Sequence, residues 1–251
     1  MTGSHKEAIK EIKRKAESFS DGKLIMFGDH VKVFADGAFF SQLMQMKDGY
    51  TDGHSGEWFT SPEELEEAMA EYWAAGFQIH VHTNGDLAME LVLDIVSRLN
   101  ERQPRAEHRT TIEHAGVFSE QQARRVQEQR CLVSAQPYYH YTLADTYSQL
   151  GLGPERAARM CPLGLLERRG VRLALHSDFT MAPAQPLLLA WCAVNRRTVG
   201  SEGQTCRTPE LCITPYTALS GQTVCQYYTN TAAPVFYIKD ETTHEATHSV
   251  S

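Results

Sequence analysis

The chain has 251 residues, of which 24 are Lys or Arg and 31 are Asp or Glu, for a formal net charge of −7. Its hydrophobic fraction of 42% is enough for one sizeable core. An acidic chain without a Lys- or Arg-rich block lacks the charge pattern of nucleic-acid or membrane-surface binders, so we expect a small-molecule ligand. No apolar stretch reaches membrane-spanning length, and the charged N-terminus lacks a signal peptide's apolar core, which predicts a cytoplasmic protein.

The six cysteines do not form any C-x-x-C pair; they are Cys131, Cys161, Cys192, Cys206, Cys212 and Cys225. This spacing argues against a structural zinc site and predicts reduced thiols, as in cytosolic proteins. We therefore expect the fold to depend on its core and not on disulfides.

The predicted elements alternate between helices and short strands. A capping-box spacing predicts a helix over 4–17, and an N-cap, Pro and Glu pattern predicts another over 61–75. Apolar residues four apart predict a third helix over 85–99. The same alternation continues with helices over 119–129, 162–169 and 186–196. Strands are predicted near residues 31, 77, 110, 131 and 171.

The alternation of strand and helix, without hairpin signals, indicates βαβ units and hence an α/β fold with a parallel sheet. A (β/α)8 barrel needs eight strands in about 250 residues, whereas five are predicted here. We therefore predict a partial (β/α)8 TIM barrel of about five βα units over residues 1–200. Periodicity fades after that point, which predicts a divergent, loosely ordered C-terminal segment over 201–251.

Ligand-capable side chains accompany four of the predicted strands. Lys32 lies in the first strand, His82 ends the second, His114 ends the third and Asp178 follows the fifth. In parallel α/β folds the reactive groups gather at the carboxyl ends of the strands, where imidazoles and a carboxylate are zinc-type ligands. Each residue alone has an ordinary explanation, as a packed histidine, an edge lysine or a helix-capping aspartate. Their coincidence favours a metal site.

The motifs around these residues resemble the amidohydrolase superfamily, and in particular its branch of N-substituted formamide deformylases and related metal-dependent hydrolases. The resemblance covers about residues 25–235 and implies a distorted (β/α)8 barrel with metal at the carboxyl ends of its strands. The motifs are Val31-Lys32-Val33-Phe34-Ala35-Asp36-Gly37, His82-Thr83-Asn84-Gly85-Asp86, Ile112-Glu113-His114-Ala115, Ser134-Ala135-Gln136-Pro137 and His176-Ser177-Asp178-Phe179.

The resemblance also implies a role for each candidate residue. Lys32 is similar to the fourth-strand lysine, often carboxylated in this superfamily to bridge two metals. His82 and His114 are similar to the fifth- and sixth-strand ligands. Asp178 is similar to the eighth-strand aspartate, which binds metal and passes the proton of the attacking water to the leaving amine. The implied cofactor is one or two divalent ions, with zinc the first choice.

Two departures from the family set the competing hypotheses. The first-strand H-x-H pair is absent upstream of Lys32, and the tail lacks the family's Gly-Lys-x-Ala-Asp stretch, so the sequence resembles an internal fragment of a longer enzyme. The leading hypothesis is a metal-dependent hydrolase of carbon-nitrogen bonds other than peptide bonds, in amides or N-substituted formamides. The alternatives are a non-catalytic remnant of such an enzyme and a hydrolase of phosphoesters or lactones. A homo-oligomer is compatible with each of them.

Two features near the strand ends have weaker assignments. Asp86 is predicted either to orient the His82 ring or to cap the following helix. The Gly- and Asp-rich segment over 38–60 is predicted to be a loop, and its part over 48–54 is predicted to be a flexible cover over the strand ends.

Two clusters further along the chain have structural interpretations. Tyr138, Tyr139 and His140 fit aromatic packing better than a substrate pocket. Arg196 and Arg197 end the last predicted helix, where basic residues favour a solvated C-terminal cap.

Overall fold

The computed structural model describes residues 5–20, 27–201 and 208–219, together with the backbone of 223–226. Its strands are β1 (His30–Phe34), β2 (Gln78–Thr83), β3 (Thr111–His114), β4 (Leu132–Ala135), β5 (Leu173–His176) and β6 (Thr223–Gln226). Its helices are α1 (His5–Phe19), α2 (Pro62–Ala74), α3 (Asp86–Arg102), α4 (Glu120–Glu128), α5 (Tyr138–Gln149), α6 (Gly153–Ala158), α7 (Gly164–Glu167), α8 (Pro186–Asn195) and α9 (Pro215–Leu219). Single 3-10 turns lie at Phe39–Ser41 and Pro209–Leu211. None of the helices in these ranges has both the length and the apolar composition that crossing a membrane requires.

The strands form one parallel sheet in which each strand pairs with the next along the chain, from β1 to β6. Parallel neighbours need long crossover connections, and here the connections contain helices. A sequential parallel order with helical crossovers is the arrangement of a (β/α)8 barrel, of which these strands form an arc. The prediction of an α/β fold built on part of a TIM barrel is confirmed.

The strand β6 was not among the predicted strands. It pairs in parallel with β5, with Leu173 opposite Thr223 and His176 opposite Gln226. It is short and lies in a Thr- and Ser-rich stretch, so it carries no periodic pattern. The domain division at residue 200 stays a prediction, because most of 201–251 lies outside the described residues.

The two faces of the sheet differ in chemistry. Successive side chains of a strand point to opposite faces, so each strand contributes alternate residues to each face. One face is apolar and packs with the helices in the main core; its residues are Val31, Val33, Ile79, Val81, Ile112, Val133, Leu173 and Leu175. The other face is polar and carries Lys32, His80, His82, Glu113, Ser134 and His176. A polar inner face is where an arc of a barrel can hold a chemical site.

Local sequence explains where the surrounding helices begin. The Ser61 side chain accepts a hydrogen bond from the Glu64 backbone, with Pro62 at the first helical position of α2. Ser119 and Gln122 form a reciprocal capping box at the start of α4. By contrast, α5 begins after Pro137 without any side-chain cap, and it is not among the predicted helices.

The segment between β1 and α2 covers the carboxyl end of β1, as predicted, but it is packed and not loose. Phe39, Met44 and Tyr50 are buried in a second apolar cluster beside α5. Its backbone is tied to distant elements, because Thr51 donates to the Gly151 carbonyl. The cover is therefore part of the folded structure.

The thiol predictions hold for the cysteines whose side chains are described. Cys131, Cys161, Cys192 and Cys212 are free thiols. The predictions for Cys206 and Cys225 concern side chains outside the described part of the chain.

Candidate functional site

His82 and His114 lie side by side at the carboxyl ends of β2 and β3. Their ring centroids are 4.5 Å apart, and the ring planes meet at 69°. His114 leaves its strand with a φ of 73°, a left-handed conformation that is rare for residues other than glycine and common near functional sites. The fold therefore brings together the two histidines that the sequence predicted as metal ligands.

Each of these two rings uses only one of its nitrogens in hydrogen bonds to the described residues. Nε2 of His82 lies 3.4 Å from the Gly37 carbonyl oxygen and 2.9 Å from the Asn84 amide nitrogen. Nδ1 of His114 lies 3.0 Å from Nε2 of His176. Nδ1 of His82 and Nε2 of His114 make no hydrogen bond within that part of the chain. Each ring thus retains one nitrogen that can act as a ligand.

His176 is a third imidazole in the site. Its ring centroid is 4.9 Å from that of His114, and the residue is fully buried at the end of β5. Its Nδ1 lies 2.8 Å from the Ser134 hydroxyl. His176 belongs to the motif around Asp178 but is not among the predicted metal ligands. The signal that could have identified it was the alternation of β5, which places His176 on the same face as Ser134.

Glu113 is a fully buried carboxylate beside these rings. Its Oε1 lies 2.6 Å from Nδ1 of His80, and its Oε2 lies 3.8 Å from Nδ1 of His176. Burial alone would raise the pKa of Glu113. The hydrogen bond from His80 and the electrostatic attraction of His80, His176 and Lys32 outweigh burial and lower the pKa to about 2. Glu113 is therefore an anion inside the barrel arc.

Lys32 lies on β1, half-buried, with its backbone opposite His80. Its positive charge lowers the pKa of five groups at the site, which are His82, Glu113, His114, His176 and Asp178. Its ammonium also lies 5.3 Å from the Phe34 ring centroid. The structure thus places Lys32 on the same polar inner face as His82.

Asp178 follows β5 and is half-buried, with a left-handed φ of 49°. Burial raises the pKa of its carboxyl group, the Lys32 charge opposes that rise, and the Glu113 charge adds to it. The carboxylate makes no side-chain hydrogen bond to the described residues. It is close enough to the site to share its electrostatics, but it does not contact the histidine pair.

Burial keeps the three imidazoles neutral. It lowers the pKa of His82 to about 4, with the Lys32 charge adding to the effect, and lowers that of His176 to about 4 despite the nearby Glu113. Burial, together with the electrostatic influence of His82, His176 and Lys32 nearby, holds the pKa of His114 well below its ordinary range. Neutral imidazole is the form that binds metals.

These residues fit a metal ion in part. Two imidazoles on one tetrahedral zinc, with Zn–N bonds of about 2.0–2.1 Å, have ring centroids about 5 Å apart, which is close to the 4.5 Å between His82 and His114. Within the described ranges, however, no group of three or more His, Cys, Asp or Glu side chains is arranged to hold a metal ion. The described chain offers two nitrogen ligands with Asp178 and Lys32 nearby, and not a complete coordination sphere.

Asp86 has neither of its two predicted roles, because it neither orients the His82 ring nor caps α3. Its carboxylate accepts a hydrogen bond from the Lys47 backbone, and the N-cap of α3 is Gly85. The partners of the His82 ring are instead Asn84 and the Gly37 carbonyl. Asp86 therefore fastens the covering segment to α3.

The prediction of a solvated cap at Arg196 is wrong. Arg196 is 4% exposed, and its guanidinium donates to the carbonyl oxygens of Ala158, Met160 and Cys161. Arg197 is half-exposed. The chain turns inward at the end of α8 because Arg196 adopts a left-handed conformation, with a φ of 45°.

The aromatic residues after β4 pack as predicted. Tyr139 is buried and stacks on Phe39 with a centroid distance of 4.4 Å. Its ring also lies 6.2 Å from that of His114. Tyr139 therefore forms one wall of the region around the histidine pair.

A family model described as the amidohydrolase family matches residues 3–240. The chain belongs to the amidohydrolase family. It is 26% identical over 219 residues to amidohydrolase YtcJ of Bacillus subtilis, an alignment that covers 86% of this chain and 39% of that protein. It is 25% identical over 176 residues to the N-substituted formamide deformylase of Arthrobacter pascens, covering 70% of this chain and 32% of that protein. The chain thus spans about a third of the length of the curated relatives that it matches.

Solved structures show the same fold. The chain resembles an uncharacterized metal-dependent hydrolase from Pyrococcus furiosus with a TM-score of 0.64 and 23% identity, covering 84% of this chain and 42% of that one. A second such hydrolase, from Pyrococcus horikoshii, matches with a TM-score of 0.67 and 24% identity, covering 85% of this chain and 43% of that one. At these identities the likeness establishes the architecture of the amidohydrolase chain and not its substrate.

Proposed function

We propose that this amidohydrolase takes part in the metal-dependent hydrolysis of a carbon-nitrogen bond other than a peptide bond, in an amide or an N-substituted formamide. The observation that carries the proposal is the contact between His82 and His114, two neutral imidazoles that each retain a nitrogen without a hydrogen bond to the residues that the structure describes. Membership of the family and similarity to an N-substituted formamide deformylase support the bond type. The acidic composition supports a small-molecule substrate.

His82 and His114 would hold a divalent ion, with Asp178 as the carboxylate ligand and Lys32, once carboxylated, as a bridge to a second ion. Imidazole and carboxylate together suit zinc. A divalent ion bound there would lower the pKa of a water molecule and polarise the carbonyl group of the substrate.

Asp178 would move the proton. Its carboxylate accepts a proton from the attacking water, and it returns that proton to the nitrogen that departs as an amine. Its half-buried position suits this exchange, because burial raises the pKa of the carboxyl group towards the working pH while solvent and substrate can still reach it.

Metal retention and hydrolysis test this proposal together. We expect the purified chain to retain zinc after dialysis and to release an amine slowly from an N-substituted formamide. A His82→Ala/His114→Ala double variant should lose both properties, because it removes both nitrogen ligands. His54→Ala is the matched control, since His54 lies on the covering segment with its side chain 38% exposed and away from the pair. Equal zinc retention by the double variant would contradict the proposal.

A second candidate function is a non-catalytic remnant of such an enzyme. It is favoured by the lack of a three-ligand group among the described residues. Zinc retention without detectable hydrolysis, under conditions in which an intact deformylase turns over, would support this candidate.

A further inference from the structure

A row of buried polar groups leads from the candidate ligand His114 into the interior of the barrel arc, with hydrogen bonds from His114 through His176 to Ser134 and a longer approach of His176 to Glu113. Nδ1 of His114 lies 3.0 Å from Nε2 of His176, whose own Nδ1 lies 2.8 Å from the Ser134 hydroxyl. The same Nδ1 lies 3.8 Å from Oε2 of Glu113, and Oε1 of Glu113 is bonded to His80 at 2.6 Å. The exposed fraction of each residue is 5% or less.

The contact between the two imidazoles allows two arrangements of protons. In a neutral ring one nitrogen donates and the other accepts, so one of the two facing nitrogens must carry the proton. If Nδ1 of His114 donates, the proton of His176 lies on Nδ1 and points towards Ser134 and Glu113. If Nε2 of His176 donates, its Nδ1 presents a lone pair to the Glu113 carboxylate, and the proton of His114 lies on Nε2.

The carboxylate of Glu113 distinguishes the two arrangements. Its Oε2 is buried and has no hydrogen-bond partner in the part of the chain that the structure describes. A buried carboxyl oxygen that lacks a partner accepts from an N–H group directed towards it and is not satisfied by a lone pair at the same distance. The arrangement with the proton on Nδ1 of His176 is therefore favoured, and it leaves Nε2 of His114 as a lone pair.

We propose that Glu113, acting through His176, is a positioning residue that holds His114 in the tautomer with its proton on Nδ1, so that Nε2 is the ligand atom. The proposal deepens the proposed function, since it rests on His114 as a metal ligand. In many metal sites a carboxylate orients a ligand histidine directly. Here the carboxylate of Glu113 acts on His114 through the imidazole of His176, which lies between them. His80 completes it by binding the other oxygen of Glu113.

His82 provides an internal comparison. Its Nε2 faces both the Gly37 carbonyl, which only accepts, and the Asn84 amide nitrogen, which donates. These partners favour opposite tautomers, so the described surroundings do not fix the proton of His82. We expect one major tautomer for His114 and no equally strong preference for His82.

The tautomers can be measured without metal. Long-range proton–nitrogen NMR of the chelator-treated chain, near pH 8, distinguishes protonated from unprotonated ring nitrogens for each assigned histidine. We expect His114 to carry its proton on Nδ1 in the unmodified chain. A proton on Nε2 of His114 would overturn the proposal, and this result needs no variant that has to fold.

Glu113→Gln removes the charge with little change in shape. We expect the Nε2-protonated form of His114 to appear in this variant, and zinc affinity, measured by equilibrium dialysis, to fall about 10- to 100-fold. Glu107→Gln, whose side chain is 69% exposed, is the matched control and should change neither. A folded Glu113→Gln chain with the unmodified tautomer would contradict the proposal.

Ser134→Ala separates the effect of Ser134 from that of Glu113, which both lie near Nδ1 of His176. If Glu113 sets the arrangement, His114 keeps its proton on Nδ1 when the hydroxyl is removed. A switch of His114 to the Nε2-protonated form in Ser134→Ala would assign the effect to Ser134 and overturn the role of Glu113. If the chain binds no zinc, the proposed function is contradicted. The tautomer of His114 is measured without metal, so that measurement still tests the role of Glu113.

Discussion

Asp36 joins three segments at the carboxyl end of β1. Its Oδ2 accepts hydrogen bonds from the backbone N–H groups of Gln45 and Gly85, at 3.0 and 2.8 Å, and its Oδ1 accepts one from Asn84 at 2.9 Å. The side chain is fully buried. Asp36 therefore fixes the covering segment and the turn after β2, which carries the His82 motif.

We expect Asp36→Asn to destabilise the chain by about 1–3 kcal/mol, because the amide presents a donor where a backbone N–H also donates and leaves a buried group unpaired. Urea unfolding followed by circular dichroism measures the change in the free energy of unfolding. Asp52→Asn is the control, since its side chain is 67% exposed. Equal stability of the two variants would show that the three hydrogen bonds do not hold the segment.

The residues of the site were predictable to different degrees. Lys32, His82, His114 and Asp178 carry ligand-type groups near predicted strand ends, and the structure brings the two histidines into contact. Glu113 and His176 are inside the arc, and their importance depends on distances between strands that a sequence does not contain. Whether the four predicted residues bind metal stays a prediction.

At the scale of elements, Arg196 connects α8 to the segment between α6 and α7. Its guanidinium donates to three carbonyl oxygens that follow α6, at 2.6–2.9 Å. These carbonyls belong to a helix end, whose backbone acceptors have no partners within the helix. One buried side chain therefore joins two elements.

We expect Arg196→Met to lower the free energy of unfolding by about 2–4 kcal/mol, because several buried carbonyls lose their charged donor. Arg197→Met should change it by no more than about 0.5 kcal/mol, since Arg197 is half-exposed. Thermal and urea unfolding of the two variants give the comparison. Similar losses in both variants would contradict the role assigned to the Arg196 side chain.

Elements with a local pattern were predicted and elements without one were not. The five predicted strands and the capped helices α2 and α4 depend on alternation and on capping residues close in sequence. The helix α5 lacks a side-chain cap, and β6 lies in a polar, aperiodic stretch. Both depend on contacts with distant elements, which override weak local preference.

At the scale of the whole molecule, burial of neutral histidines makes stability depend on pH. The pKa is lowered from 6.5 to about 4 for His82 and His176, and to about 3 for His140, in each case mainly by burial. Below pH 6.5 the unfolded chain takes up protons that the folded chain does not. The contribution of these three histidines to the free energy of unfolding is therefore fully present above pH 6.5 and is lost as the pH falls from 6.5 towards 4.

We expect the free energy of unfolding of the chelator-treated chain to fall between pH 7 and pH 5, with each such histidine contributing up to about 1.4 kcal/mol per pH unit. His140→Gln should make the fall less steep by up to about 1.4 kcal/mol per pH unit. It removes one histidine that takes up a proton in this pH range only when the chain unfolds. Urea unfolding at a series of pH values measures both slopes. Stability that is constant or rising as the pH falls through this range would contradict the burial of these neutral rings.

The most direct test of the metal site is X-ray absorption at the zinc edge of the zinc-loaded chain. We expect nitrogen scattering from two imidazoles at about 2.0–2.1 Å. His82→Ala and His114→Ala should each remove one imidazole from the spectrum, while His54→Ala should leave the count unchanged. Zinc bound without imidazole, or with the same imidazole count in both single variants, would contradict a metal centre built on His82 and His114.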